Sequence, residues 1–184
     1  MKAGIRILGI DDTPFIRGDR NSYIIGVLMR LDGYIEGVMK NRIEIDGQDI
    51  NERIYEMIES KFRENIRIIM LNGITFGGFN ICDIYMLNRD VGIPVISITR
   101  KKPDIPSMEA AIDRHLNDTY RIGVLRKMKP VAVLNGGHRL YINCSGIDLN
   151  EAIKIIKMNT IRGKIPEAIR IADLISKVSG RNKD

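Results

Sequence analysis

The chain has 184 residues and a formal net charge of +6, with 44% hydrophobic and 28% charged residues. This composition is typical of a globular protein that forms a sizeable core, so we expect one domain over residues 1–184. Neither a membrane span of ~20 apolar residues nor a signal-peptide pattern is evident, which favours a cytoplasmic protein without a membrane partner.

Three strands are predicted in the first 46 residues. Residues 5–10 are almost wholly apolar, which is typical of a buried strand. A second apolar strand covers Ser22–Arg30 and is followed by an Asp-Gly pair, a common hairpin turn. Tyr34–Asp46 gives a third strand with looser alternation. The chain is therefore expected to open with an antiparallel meander.

Helices and strands then alternate. Asp49 is a good N-cap, and with Glu52 three residues later it resembles a capping box. Asn80 is expected to cap the following helix. The predicted elements are a helix from Asp49 that reaches Phe62, a strand over Ile66–Leu71, a helix over Ile81–Arg89, a strand over Pro94–Thr99 and a helix over Pro106–Leu116.

A hairpin and two helices complete the predicted order. The hairpin turns at residues 135–138, one helix runs from Asp148 to about Met158, and another begins at Pro166. The tail Gly180–Asp184 is expected to fray. This order predicts an α/β protein with a mixed sheet, in which the first strand and the two strands after the helices are parallel. It is the order of the ribonuclease H-like fold.

Polar and charged residues follow each of these three strands. Asp11 and Asp12 follow the first strand, and Asn72 and Gly73 follow the second. Arg100, Lys101 and Lys102 follow the third. The carboxyl ends of parallel strands share one sheet edge, where ligands collect. Acids can hold divalent ions that activate water for the hydrolysis of a phosphodiester. A basic run can neutralise the phosphates of a nucleic-acid backbone. For Asp11 and Asp12 the alternative is an ordinary Asp-Thr-Pro turn, and for the basic run it is a solvated charged turn.

Further candidates lie in two loops. Asp46 and Asp49 lie at the end of the third strand and are possible metal ligands. A turn explains Asp46 equally well, and an N-cap explains Asp49 fully and is the favoured interpretation of that residue. The glycine-rich loop after Asn72 offers Thr75, Phe76, Gly77 and Gly78 as nucleic-acid contacts, with Phe76 or Phe79 expected to pack into the core. The two histidines and two cysteines are isolated, which argues against zinc and favours Mg²⁺ or Mn²⁺ held by oxygen ligands.

The sequence also resembles a known family. The motifs Ile7–Asp12, Asp46–Asp49 and Leu71–Asn80 resemble an archaeal family of uncharacterised proteins that is similar to endonuclease V. Some of its members are described as endonuclease dU, which cuts DNA at deoxyuridine. The resemblance implies that Asp11 is a metal ligand on the first strand and that Asp46 or Asp49 is the second acid. Asn72 stands where the family usually has aspartate. It would be a neutral metal ligand, because its amide oxygen can bind Mg²⁺ but brings no negative charge.

Two functions are therefore open, beside a third class, an enzyme that acts on a small molecule in the same crevice. The first is a Mg²⁺- or Mn²⁺-dependent endonuclease acting on DNA, single-stranded or lesion-containing, with Asp11, Asp46, Asp12 and Asp49 as catalytic candidates. The second is a non-catalytic nucleic-acid- or nucleotide-binding module that has lost part of its metal site at Asn72.

Overall fold

The computed structural model describes residues 4–59 and 63–179. The strands are β1 (Arg6–Asp12), β2 (Asn21–Arg30), β3 (Ile35–Glu44), β4 (Ile66–Asn72), β5 (Thr75–Phe76), β6 (Asn80–Ile81), β7 (Val95–Thr99), β8 (Val131–Asn135) and β9 (His138–Ser145). The helices are α1 (Ile50–Glu59), α2 (Ile84–Val91), α3 (Ile105–Leu116), α4 (Thr119–Lys127), α5 (Leu149–Asn159) and α6 (Glu167–Ser179). The predicted helical position of Phe62 and the predicted fraying of Gly180–Asp184 lie outside the described residues.

Seven of the strands form one mixed sheet in the order β3-β2-β1-β4-β7-β9-β8. The pairs β1–β4 and β4–β7 are parallel, whereas β1–β2, β2–β3, β7–β9 and β8–β9 are antiparallel. The predicted meander, the three parallel strands and the C-terminal hairpin are therefore confirmed. The carboxyl ends of β1, β3, β4 and β7 share one sheet edge with the β8–β9 turn.

The sheet separates two layers of core residues. Leu8 and Ile10 of β1 pack in a cluster with residues from α1, α2, α3 and α4. Ile7 packs in a second cluster with residues from α5 and α6. Because successive strand residues point to opposite faces, Asp11 follows Ile7 toward the α6 face and Asp12 follows Ile10 toward the other. The two adjacent acids therefore serve different faces of the sheet.

Several predicted details are corrected by the structure. Asp83, not Asn80, caps α2, because its carboxylate accepts hydrogen bonds from the backbone N–H groups of Tyr85 and Met86. Asn80 instead accepts a hydrogen bond from the backbone N–H of Ile50 at 3.1 Å, at the start of α1. The hairpin β5–β6 and the helix α4 were not predicted. Polar residues and Gly123 obscure the helical period of α4, whose buried positions include Arg121.

Both cysteines are free; Cys82 is fully buried and Cys144 is half-buried. Among the described residues, no helix has the length and apolar character that crossing a membrane requires.

Candidate active site

The carboxyl ends of β1 and β4 bring Asp11 and Asn72 into contact. The amide Nδ2 of Asn72 donates a hydrogen bond to Asp11 Oδ2 at 3.0 Å. Asp11 is only 5% exposed, and its burial raises the pKa of the carboxyl group from 3.8 to about 7. Asn72 and the neighbouring backbone N–H of Asp12 lower this pKa in part. The arrangement is a buried carboxylate whose negative charge is incompletely compensated.

A third acid, Asp173, comes from α6. It lines a pocket of about 320 Å³ together with Asp11, Asn72 and Lys177, and its negative charge contributes to the raised pKa of Asp11. The carboxylate of Asp173 also pairs with Lys177 Nζ at 2.6 Å. Sequence reasoning missed Asp173 because an acid four residues before a lysine is common on any exposed helix face.

Two local features place α6 against β1. A Cβ atom on Gly9 would lie 2.4 Å from the backbone carbonyl carbon of Ala168, so only glycine permits this close approach. The fully buried Asn159 accepts a hydrogen bond from the backbone N–H of Ala168 at 3.0 Å, near the start of α6. Together they bring Asp173 to the pocket that contains Asp11.

Asp12 faces the glycine-rich loop instead. Its Oδ2 accepts a hydrogen bond from the backbone N–H of Gly77 at 2.8 Å. Burial raises the pKa of Asp12, and the hydrogen bond from Gly77 opposes this shift. Asp12 therefore anchors the loop, although part of the residue also lines the pocket that contains Asp11.

Asp46 holds the same loop from the β3 side. Its Oδ1 accepts a hydrogen bond from the backbone N–H of Phe79 at 2.7 Å, and its own N–H donates to the carbonyl of Gly77 at 2.8 Å. A Cβ atom on Gly78 would lie 2.3 Å from Asp46 Oδ1, and Gly78 has a φ of +86°. The loop therefore needs glycine at this position to close on Asp46.

Asp49 fixes the start of α1 by contacts with three different residues. Its carboxylate accepts hydrogen bonds from Asn80 Nδ2 at 2.6 Å and from the backbone N–H of Glu44 at 3.2 Å, and it pairs with Arg53 at 3.1 Å. These are partners of a structural carboxylate. Asp46 and Asp49 thus lie at the predicted edge of the sheet, with hydrogen bonds that tie the loops together.

The unpredicted helix α4 supports the turn that carries Asp46. The buried guanidinium of Arg121 donates from Nη2 to the carbonyl oxygens of Asp46 and Gly47, at 2.5 Å each. Its Nη1 pairs with Asp118 at 2.6 Å. Asp46 has a φ of +53°, a left-handed conformation that Arg121 helps to hold.

The predicted nucleic-acid contacts divide into buried and accessible residues. Phe76 is fully buried, which corrects its proposed role as a nucleic-acid contact. It is the phenylalanine of the loop that packs into the core. Gly77 is also buried, whereas Thr75, Gly78 and Phe79 are half-buried. Arg100, Lys101 and Lys102 are exposed beyond β7, where the side chain of Thr99 donates to the carbonyl of Lys101 at 2.9 Å.

The donor chemistry of the Asp11 pocket fits one hard divalent cation. Carboxylate oxygens from Asp11 and Asp173 line it, and a half-turn of the Asn72 amide would present Oδ1 in place of Nδ2. Within residues 4–59 and 63–179, no three His, Cys, Asp or Glu side chains converge closely enough to hold a metal ion. The pocket offers an ion the carboxylates of Asp11 and Asp173 and the amide of Asn72, with Asp173 paired to Lys177. The carboxylate of Asp46 is engaged with the glycine loop instead.

The sheet order is that of the ribonuclease H-like α/β fold. The catalytic domain of human endonuclease V superposes with a TM-score of 0.60 at 15% identity, covering 94% of this chain and 80% of that domain. Endonuclease V of Ciona intestinalis, solved with DNA containing an inosine, gives 0.63 at 12% identity, covering 94% and 84%. These similarities confirm the predicted fold.

The chain belongs to the endonuclease dU family, whose family model matches residues 3–179. It is 53% identical over 177 residues to the UPF0215 protein of Thermoplasma volcanium, covering 96% of this chain and 91% of that one. A protein of unknown function from Archaeoglobus fulgidus is similar in structure, with a TM-score of 0.83, 35% identity and coverage of 94% and 96%. Membership of this family supports a nuclease-like function.

Proposed function

We propose that the protein is a divalent-cation-dependent endonuclease that hydrolyses a phosphodiester bond in DNA at or near a deaminated base such as deoxyuridine. The observation that carries this proposal is the pocket at the carboxyl end of β1. There a buried Asp11 with a pKa raised to about 7 meets Asn72 and lies near Asp173. A buried carboxylate with incompletely compensated charge favours the binding of a cation. The name of the family supports the choice of deoxyuridine.

In this proposal Asp11, Asp173 and the amide oxygen of Asn72 hold Mg²⁺ or Mn²⁺. When bound, such an ion activates water and stabilises the leaving oxygen in phosphodiester hydrolysis. Because the ion requires a deprotonated carboxylate, its binding would release the proton of Asp11, so affinity should rise with pH up to about 7. The pairing of Asp173 with Lys177 would have to open for ligation.

The remaining acids would shape the surface that meets the DNA. Asp12, Asp46 and Asp49 fix the glycine loop and the start of α1 through the hydrogen bonds described above. That loop would present Thr75, Gly78 and Phe79 to the base or its phosphate. Arg100, Lys101 and Lys102 would neutralise phosphates on the other side of Asn72.

Strand cleavage tests the proposal. Wild type, Asp11→Ala and Asp113→Ala would be incubated with duplexes that contain one deoxyuridine or one deoxyinosine, with Mg²⁺ or Mn²⁺ and with a chelator. Asp113 is exposed on α3 and serves as the matched control. Cleavage by wild type and Asp113→Ala, abolished by Asp11→Ala and by the chelator, is expected. Absence of cleavage by wild type, or full activity of Asp11→Ala, would contradict the proposal.

A second function, a nucleic-acid-binding module without catalysis, is favoured by one observation. Asn72 donates an N–H hydrogen bond to Asp11, and this bond stabilises the carboxylate in part without a bound cation. Such a module would bind DNA with an affinity that a chelator does not change. Binding that strengthens with Mn²⁺ in wild type but not in Asp11→Ala would exclude it.

A further inference from the structure

We propose that a cationic cleft beside the acid pocket binds the backbone phosphates of the DNA strand, and that His138, Arg139 and Lys164 form this track together with Arg100 and Lys101. The inference rests on the proposed function in taking DNA as the ligand. It adds a binding site on the β8–β9 hairpin and on the connection between α5 and α6. It also assigns a path to the DNA strand, which runs from the acid pocket past Asn72 toward β9.

The cleft is a continuous feature of about 690 Å³. Asn72 and Thr99 form its wall toward the centre of the sheet. The rest is lined by Leu140 and by five basic residues: Arg100, Lys101, His138, Arg139 and Lys164. Among the described residues, none of those that line the cleft is acidic. Asn72 also lines the pocket that contains Asp11, so a chain molecule in the cleft would continue into that pocket.

The fold brings these residues together from three distant parts of the sequence. Thr99 at the end of β7 pairs with Tyr141 of β9, which places Arg139 and His138 beyond that end of β7. The buried Asn135 ends β8 and donates to Thr160 Oγ1 at 2.9 Å and to the carbonyl oxygen of Lys164 at 3.1 Å. The backbone that carries Lys164 is therefore held against the hairpin, so the arrangement of charges is set by the fold.

The charges in the cleft are uncompensated within the described part of the chain. There Arg100, Lys101, Arg139 and Lys164 form no salt bridge, unlike Arg121 and Lys177, which pair with Asp118 and Asp173. Clustered like charges repel one another, and a polyanion relieves that repulsion while it releases counterions.

The position of the cleft also suits a DNA strand that reaches Asp11. In the sheet, β9 lies three strands from β1, a separation of roughly 14 Å at the usual spacing of neighbouring strands. Phosphates lie about 3.4 Å apart along one strand of B-form DNA, so about four or five nucleotides can span this distance. One strand can therefore contact both the acids and the cations.

The test is the salt dependence of DNA binding in the presence of a chelator, so that cleavage plays no part. Wild type, the double variant Arg139→Ala/Lys164→Ala, and the control Arg67→Ala would bind a fluorescent single-stranded oligodeoxynucleotide at increasing KCl concentrations. Arg67 is an exposed arginine at the opposite end of β4 from Asn72. All three substituted residues are exposed, and a melting curve of each variant confirms that it folds.

Loss of two phosphate contacts should reduce the slope of log K against log salt by about 1.4 in the double variant, since each contact to a single strand contributes about 0.7. Arg67→Ala should keep the wild-type slope. An unchanged slope in the double variant, an equal reduction in Arg67→Ala, or no binding by wild type would overturn the inference. Cleft-dependent binding by a wild type that cuts no DNA would support the inference while it contradicts the proposed nuclease.

Discussion

Replacing Asp11 by asparagine should make the protein more stable at neutral pH, although the position is central to the proposed site. Asparagine has nearly the same shape and can still accept the hydrogen bond from Asn72 Nδ2 through its amide oxygen. The change removes a buried negative charge that has no full partner in the absence of a bound cation. Gains of stability on removal of a catalytic group are expected where a site is built for function at the expense of stability.

The magnitude follows from the pKa of Asp11. Burial raises it from 3.8 to about 7, so the folded protein binds this proton more tightly than the unfolded chain does. The contribution of Asp11 to the free energy of unfolding is therefore highest below about pH 4, falls as the pH rises to about 7, and then stays level. Three pKa units correspond to an upper limit of about 4 kcal/mol, or a melting-temperature difference on the order of 10 °C for a chain of this size.

Urea denaturation of wild type, Asp11→Asn and the exposed control Asp113→Asn, from pH 4 to pH 8 in the presence of a chelator, measures this effect. The stability of Asp11→Asn relative to wild type should be near zero at pH 4 and should rise to its maximum by pH 7. Asp113→Asn controls for the chemical change itself. A destabilised Asp11→Asn at pH 8, or a stability difference that is the same at pH 4 and pH 8, would show that the buried charge of Asp11 does not destabilise the folded protein.

Three further predictions concern the residues that build the site. Asn72→Asp should bind Mn²⁺ at least roughly tenfold more tightly in a calorimetric titration, because the aspartate adds a charged oxygen ligand. An unchanged affinity would place residue 72 outside the metal site. Gly9→Ala should lower the free energy of unfolding by roughly 1–3 kcal/mol in urea, because its Cβ would meet the backbone of Ala168 at 2.4 Å, and wild-type stability would contradict the close approach of α6. Gly78→Ala should cost at least about 1–2 kcal/mol, owing to its positive φ and the contact with Asp46, whereas Gly123→Ala in α4, where a Cβ meets open space, should leave stability unchanged or raise it.

The central sheet was predictable because its strands carry strong local signals. Apolar runs mark β1, β4 and β7, and the alternation with helices indicates that these strands are parallel. The residues that follow them, Asp11 and Asn72, were therefore expected at one edge, and the structure brings them within hydrogen-bond distance. The opposite faces of Asp11 and Asp12 also follow from the two-residue period of a strand.

The parts of the site that depend on long-range packing were not predictable. Asp173 is more than 150 residues away from Asp11 along the chain. It belongs to the pocket because Gly9 and Asn159 place α6 against β1. Asn80 reads as a cap for the helix that follows it, yet it bonds to the start of α1 instead. The helix α4 buries Arg121 against the turn at Asp46, so its pattern lacks the apolar face that marks a helix in a sequence.

A crystal soaked in Mn²⁺ would show whether Asp11 lies at a divalent-cation site. Anomalous scattering at the manganese edge should show one ion bound by a carboxylate oxygen of Asp11, by Oδ1 of a turned Asn72 and by Asp173, with the Asp173–Lys177 pair opened. A crystal of Asp11→Asn in the same soak should show none there. Manganese bound elsewhere while the Asp11 pocket stays free of it, or equal occupancy in Asp11→Asn, would contradict a divalent-cation site at Asp11.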